Sequence, residues 1–345
     1  MTDSSISYCN SQSIKFPSLF GIFKHTKYGY ILYDTGYCNR FYKETSNLPF
    51  YLYGKLIPVY LNENESASEI LNTKYGINNN DIKFIIISHF HADHISGLID
   101  FPNAKFIYSK EGFEYLNQLK NSNSNIKCCL NGFIPNLLPL DFLNRSIQLS
   151  INDFKFINNI PFKVFDLFND NSIFIVDLPG HCLGHFGVFF KCNNQNLLHN
   201  NTINNNENIN IDSNSNNMTS NENINIDNEK SYLLIGDAAW SLRAIKLNAL
   251  PHLLTKYFVQ HDWNAYSNTL NELHKIYNES SFHINNLKKT RKGQEPINPQ
   301  KKITNHIRII PSHCWQVYES FCQQQQPLGS DGTTPSTTTS IISKL

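Results

Sequence analysis

No stretch of this 345-residue chain runs for the roughly 18 apolar residues that a membrane-crossing helix needs. The first twenty residues also lack a basic start followed by an apolar segment. The expectation is a soluble, cytoplasmic protein. An excess of charge of one sign is missing too: 29 Lys and Arg stand against 28 Asp and Glu, a net charge of +1 with a pI near 7.6. That balance removes any global pull toward nucleic acid or an anionic membrane, so neither is expected as a partner. The eight cysteines form no C-x-x-C pair and read as reduced thiols rather than a disulfide framework.

What the chain does have is the stretch Ile85-Ile86-Ile87-Ser88-His89-Phe90-His91-Ala92-Asp93-His94. Ile82 to Ile87 is a short apolar run rich in β-branched residues, as a buried strand should be. Where it ends, His89 and His91 stand two apart and point to one side, with Asp93 and His94 just beyond. Imidazole and carboxylate side chains converging at a strand end suit zinc, or iron and manganese, better than calcium or magnesium. A polar loop that happens to be rich in histidine would leave these groups desolvated without partners, which is costly.

Around that stretch the pattern is of strands and helices in one domain. Phe20–Phe23 and Tyr30–Tyr33 read as a hairpin with Gly29 near its turn, ending at Asp34-Thr35-Gly36. Phe41 to Tyr60 is aromatic and poorly periodic, either a pocket wall or an extra packing layer. Ser66 and Glu69 form a capping box and Gly76 a terminating glycine, which predicts a helix over 67–75. A strand is expected over 104–109, a helix over 111–120, a proline-broken lid or cover over 132–141, and strands over 163–168 and 172–178. The last of these stops at Pro179-Gly180-His181. Tyr232–Ile235 is a strand ending in Gly236-Asp237, a helical stripe of aromatic and leucine residues follows Asp262, and Ile307–Ile310 leads to Pro311-Ser312-His313. The expected organisation is a flexible N-terminus over 1–13, a domain over 14–322, and a Ser/Thr/Gln-rich tail without reason to fold over 323–345. The domain carries a disordered asparagine-rich insertion at 193–230 and a basic loop at 284–304.

Acidic or histidine residues thus close five strand-like runs: Asp34, the His89 to His94 group, His181, Asp237 and His313. Their order and their motifs resemble the metallo-β-lactamase-fold hydrolases: Tyr33-Asp34-Thr35-Gly36, Ser88 to His94, Pro179-Gly180-His181-Cys182-Leu183-Gly184-His185, Gly236-Asp237 and Pro311-Ser312-His313. The resemblance runs from about Ser18 to Trp315, less the two insertions. It implies an α/β (α+β) fold, a four-layer αβ/βα sandwich with two divalent metal ions, zinc before iron or manganese, at one edge. Carried over by position, His89, His91 and His181 would bind one ion, Asp93, His94 and His313 the other, and Asp237 would bridge them. A shared hydroxide would attack the substrate, Asp93 or a bound water would return a proton to the leaving group, and Asp34 would orient a liganding imidazole. His185, four residues after His181, competes as a ligand, although the family places its ligand directly after Pro-Gly. Cys182 and Cys314 each follow a proposed ligand, but a neighbouring side chain normally points elsewhere.

The motif set looks most like the N-acyl homoserine lactonase branch, with glyoxalase II-like thioesterases beside it. One departure is Trp240, three residues after Asp237, where those lactonases carry a tyrosine; tryptophan offers only an N–H donor. Trp240 and Arg243 are the candidate substrate contacts, Arg243 being equally readable as a surface residue. The reading is a hydrolase of an ester, lactone or thioester bond in a small molecule. A mononuclear iron persulfide dioxygenase would leave His94 and His313 surplus, a phosphodiesterase of the tRNA-processing kind would want a basic arm, and a metal-binding interaction module would have lost a ligand.

Overall fold

Strands buried on both faces need near-continuous apolar runs, and Ile85-Ile86-Ile87, after the exposed Lys83 at the start of its strand, is such a run. The computed structural model describes residues 16–62, 64–122, 124–157, 160–193, 229–290, 307–323 and 340–344. One sheet takes β1 (Phe20–His25), β2 (Gly29–Tyr33), β3 (Ile82–Ile86), β4 (Lys105–Ser109) and β5 (Ser146–Leu149). The other takes β6 (Lys155–Phe156), β7 (Lys163–Asp166), β8 (Ile173–Asp177), β9 (Phe186–Asn193), β10 (Glu229–Gly236) and β11 (Ile307–Pro311), in sequence order across the sheet. β1 and β2 form an antiparallel hairpin, β2 to β5 run parallel, and β6 to β10 run antiparallel before β11 joins β10 in parallel. A final strand, β12 (Ser340–Lys344), adds in parallel to the edge of β1.

Alternate residues of each central strand serve different layers. Ile31, Tyr33, Ile86 and Ile107 meet Ile175, Phe186, Val188, Tyr232, Leu234 and Ile310 between the sheets. Leu32, Ile85, Ile87, Phe106 and Tyr108 face outward from the first sheet. There they pack with α1 (Arg40–Glu44), α2 (Phe50–Leu56), α3 (Ala67–Tyr75), α4 (Ala92–Ile95), α5 (Lys110–Asn121) and α6 (Asn125–Leu130). Val176, Leu233, Ile235 and Ile309 face outward from the second sheet. They meet α7 (Leu242–Leu247) and α9 (Trp263–Thr290), with α8 (Leu253–Phe258) before it and α10 (Trp315–Gln323) after β11. The result is the four-layer αβ/βα sandwich. Ser88 O accepts from Phe186 N at 2.9 Å and Phe186 O from Tyr33 Oη at 2.8 Å, so the two sheets are also stitched by hydrogen bonds.

Local signals and structure agree where chemistry is explicit. Ser66 Oγ accepts from Glu69 N, Gly76 closes α3 at φ 62°, and Asp262 Oδ1 accepts from Asn264 N and Ala265 N at the start of α9. Several elements depart from expectation. Phe41 to Tyr60 carries the two short helices α1 and α2, and of the 132–141 segment, expected as a lid or cover, Phe133, Ile134 and Leu137 pack into the core while Gly132 lies against the His91 ring. α9 continues through the first seven positions of the expected basic loop, whose remainder, 291–306, lies outside the described residues. The tail was expected not to fold, yet residues 340–344 pair with β1, where an open edge meets the β-branched Ile341-Ile342. The expected flexible N-terminus and the asparagine-rich insertion, apart from the ends of β9 and β10, also lie outside the described residues.

One close approach positions the loop after β8. Gly180 sits at φ 132°, and a Cβ there would fall 2.3 Å from the Tyr266 backbone, because Gly180 O and His181 O accept from Asp262 N and His261 N. Gly180→Ala should therefore cost about 1–3 kcal/mol, through overpacking and a φ alanine avoids. Thermal denaturation should show a midpoint several degrees lower; an unchanged midpoint would mean the loop is not seated on α9.

Candidate metal centre

The centre lies where β2, β3, β8, β10 and β11 end. After β3 the chain stays extended through His91, at φ −68° and ψ 153°, then turns into the one-turn helix α4, which carries Asp93 and His94. Thr35 N and Thr35 Oγ1 both donate to His94 O, and Ser18 Oγ to Asp93 O, holding that turn. The structure thereby brings together all seven residues proposed as ligands, in two groups, the first of which also includes Cys182. In the first, His91 Nδ1 and His181 Nε2 are 3.2 Å apart with His89 beside them. In the second, His313 Nε2 is 3.1 Å from Asp93 Oδ2, and His94 Nε2 is 3.4 Å from the same oxygen. Asp237 stands between: its Oδ1 is 3.2 Å from His313 Nε2 and 3.3 Å from His94 Nε2, and its Oδ2 is 3.6 Å from His181 Nε2.

The imidazoles are oriented from behind. Asp34, fully buried and in the left-handed region at φ 59°, accepts from Ser88 N at 2.7 Å and Ser88 Oγ at 2.8 Å, and its Oδ2 lies 2.7 Å from His94 Nδ1. His89 Nδ1 pairs with Ser88 Oγ at 2.9 Å, His181 Nδ1 with Gln260 Oε1 at 3.1 Å, and His313 Nδ1 with Pro17 O at 2.7 Å. Each of these four rings thus turns Nε2 inward. His89 Nε2, His94 Nε2 and Asp237 Oδ1 are buried without a hydrogen-bond partner. Groups of this kind are normally satisfied, so one such atom in the first group and two in the second fit a cation held by each group.

Electrostatics divide the two groups. Burial pushes His89 well below its ordinary pKa and His91 and His181 down to about 4, leaving neutral imidazoles. For His94 and His313 burial acts the same way but carboxylates overturn it. Asp93, Asp34 and Asp237 raise His94 well above its usual value, and Asp237 with Asp93 lifts His313 to about 10. Against the same burial, His94 and His313 hold the Asp93 and Asp237 carboxyls below the usual range. The second group is therefore the more acid-rich.

His185 does not join either group. Fully buried and pushed down to about 3 by burial, its neutral ring accepts from Asp237 N at 3.1 Å and so holds the backbone of the central aspartate. Cys182, expected to point away, instead faces His91. Arg243 is exposed on α7 and does not line the cavity, because Ser241 caps that helix and turns Ile245 inward and residue 243 outward; Trp240 does line it. Gln260 and Pro17, which orient imidazoles, carry no sequence pattern that marks them, whereas Ser88 stands at the head of the Ser88 to His94 motif; the exposed His261 also lines the cavity.

Both groups open onto a cavity of about 1420 Å³. Its walls are mainly apolar: Leu48, Leu52, Leu56, Ile57, Val59 and Leu61 from the stretch around α2, Leu116, Ile126 and Leu130 from α5 and α6, and Trp240, Tyr257 and Val259 opposite. Of the two roles open to Phe41–Tyr60, part of the segment forms the pocket wall, while Phe41 and Phe50 are buried in the core.

Residues 22–110 match the family model of the metallo-beta-lactamase superfamily. The N-acyl homoserine lactonase AttM of Rhizobium radiobacter is 23% identical over 34% of this chain and 39% of its own length. That of Azorhizobium caulinodans is 24% identical over 51% of this chain and 60% of its own. The chain thus matches less than two thirds of the length of these curated relatives. Among solved structures, an N-acyl homoserine lactone hydrolase with N-hexanoyl-L-homoserine at its catalytic metal centre aligns over 86% of this chain and 80% of that one, at 16% identity and a TM-score of 0.44. AidC, a dizinc quorum-quenching lactonase, aligns over 84% and 70%, at 17% identity and a TM-score of 0.40.

Asp34→Asn keeps the shape and removes the charge behind His94. It should lower divalent-ion affinity about 10–100-fold, as loss of such outer partners does. Competition with a chromophoric chelator measures this, and an unchanged affinity would separate Asp34 from the centre.

Proposed function

We propose, for a chain whose residues 22–110 match the metallo-beta-lactamase superfamily model, hydrolysis of an ester, lactone or thioester bond in a small molecule with an apolar acyl group. One observation carries the reading: the Asp237 carboxylate stands between two clusters of imidazole and carboxylate groups, and both clusters open on the same apolar-walled cavity. His89, His91 and His181 would hold one ion, Asp93, His94 and His313 a second, with Asp237 shared. The donor set of five imidazoles and two carboxylates suits zinc, with iron and manganese as competitors. Such a pair supplies Lewis-acid polarisation of a carbonyl and lowers the pKa of water toward about 7.

The remaining work falls to the chain's own residues. The walls around α2, α5 and α6 take up an acyl chain by burial of apolar surface, at about 25 cal/mol per Å². That places the carbonyl at the polar end of the cavity and excludes bulk water from it. Asp93 lines this end and is partly exposed there, so its Oδ atoms can hold and deliver a proton to the leaving oxygen or sulfur. The lactonase names of the curated relatives support the cyclic-ester member of the set. The Trp240 indole lines the cavity where that branch has a phenol, and its N–H can donate but not shuttle a proton.

Purified protein should hydrolyse p-nitrophenyl esters, lactones or thioesters with kcat/KM rising with acyl length. His91→Ala and Asp237→Ala should each lower kcat/KM about 100-fold or more, the scale on which loss of one charge-stabilising group is felt. Full activity in both variants, or none in the parent toward all three bond types, would contradict the assignment.

A further inference from the structure

Four of the five clustered imidazoles have an oxygen behind them, from Ser88, Asp34, Gln260 and Pro17. His91 differs in two ways. Its Nδ1, not its Nε2, faces the cluster, lying 3.2 Å from His181 Nε2. Its outer nitrogen, Nε2, meets sulfur: Cys182 Sγ is 3.5 Å away. A metal-bound imidazole donates its second N–H to an acceptor, which fixes the tautomer and the ring plane. Nothing else among the described hydrogen bonds offers His91 such an acceptor.

A second contact supports the same orientation. Gly132, at φ 64°, lies against the ring: a Cβ there would fall 2.5 Å from His91 Cδ2 and 2.9 Å from His91 Nε2. Ala92 N donates to Gly132 O at 3.2 Å, so this backbone is tied to the residue after His91. The imidazole is held between a glycine that leaves it room and the Cys182 sulfur. Meanwhile the buried and unpartnered His89 Nε2 points to a ligand held in the same group.

We propose that Cys182 is a positioning residue for the first ion: its sulfur accepts the outer N–H of His91 and so turns Nδ1 toward the space shared with His89 and His181. This rests on the metal-centre reading above. A thiol sulfur is a weaker acceptor than the oxygens behind the other four rings. The ion held by His91 is accordingly the more loosely held of the two and leaves first under chelation. The other possible use of the thiol, as a direct ligand, is chemically distinct, because a sulfur bonded to the ion no longer serves as the acceptor behind His91.

Titration with Co(II) and with Zn(II) separates these roles without recourse to activity. In the parent chain the Co(II) spectrum should lack an intense near-ultraviolet sulfur-to-cobalt band. Cys182→Ala should weaken one of two binding steps about 10–100-fold, leave the other unchanged, and keep its fold by circular dichroism. Cys182→Ser, which restores an acceptor, should recover most of that loss. In the zinc-loaded parent, nitrogen-15 spectra of the histidine rings should show His91 protonated on Nε2 and the other four on Nδ1, a readout that needs no variant. A sulfur-to-cobalt band lost in both variants, unchanged affinity in both, or the opposite His91 tautomer would each overturn the inference. A parent chain that takes up neither ion would overturn the metal-centre reading itself, whereas two ions in the parent and no effect of either variant would remove only the role of Cys182.

Discussion

The centre depends on one buried carboxylate. Asp34 is fully buried, in a backbone conformation that few non-glycine residues adopt, and its oxygens take up Ser88 N, Ser88 Oγ and His94 Nδ1. Such strain persists only where the surroundings over-determine it. Here they do: Asp34 N donates to Ile86 O, and Thr35 N and Oγ1 donate to His94 O, so the segment after β2 is bonded to the end of β3 and to α4. Burial raises the Asp34 carboxyl, while the His94 imidazole and Ser88 act to keep it ionised. The pair exists only as a unit, and both members lose their reason if either is removed.

From that point the architecture distributes the other groups. Parallel strands of the first sheet end at the same edge as β8, β10 and β11 of the second, and the Ser88–Phe186 and Tyr33–Phe186 bonds set one sheet against the other. Asp237 reaches the middle because Gly236, at φ 51°, turns the chain out of β10, and His185 fixes the amide that follows. His181 is delivered by the Pro179-Gly180 turn seated on α9, and His313 by the end of β11. Each side chain arrives on a short segment anchored to a strand, which is how a centre of this kind is held within a fraction of an ångström.

Much of this is legible in the sequence because the informative signals are local. Capping chemistry at Ser66, Gly76 and Asp262 gives α3 and the start of α9, and predominantly apolar runs give β2, β3, β4, β8, β10 and β11. The proposed ligands were visible for the same reason, since each stands at the end of a strand-like run. What was not legible depends on tertiary contact. β9 has an equally apolar run, Phe186–Phe190, but it is pressed between a ligand loop and the asparagine-rich tract, and β5 and β6 are too short to announce themselves. α2 lacks a capping signal, and its exposed Leu52 and Leu56 make sense only as walls of a cavity. Gln260 and Pro17 come from segments with no motif, and Cys182, although inside the Pro179 to His185 motif, turns inward by tertiary contact, because second partners of an imidazole are chosen by proximity in the fold. Of the two readings left open for Arg243, its exposed position on α7 fits the surface one, since nearness to Asp237 along the chain is not nearness in space.

The measurement that bears most directly on the paired centre is elemental analysis of protein purified without chelator. About two zinc ions per chain are expected from two clusters sharing Asp237. No bound transition metal, even after addition of zinc, would contradict the paired centre and every catalytic role assigned to it.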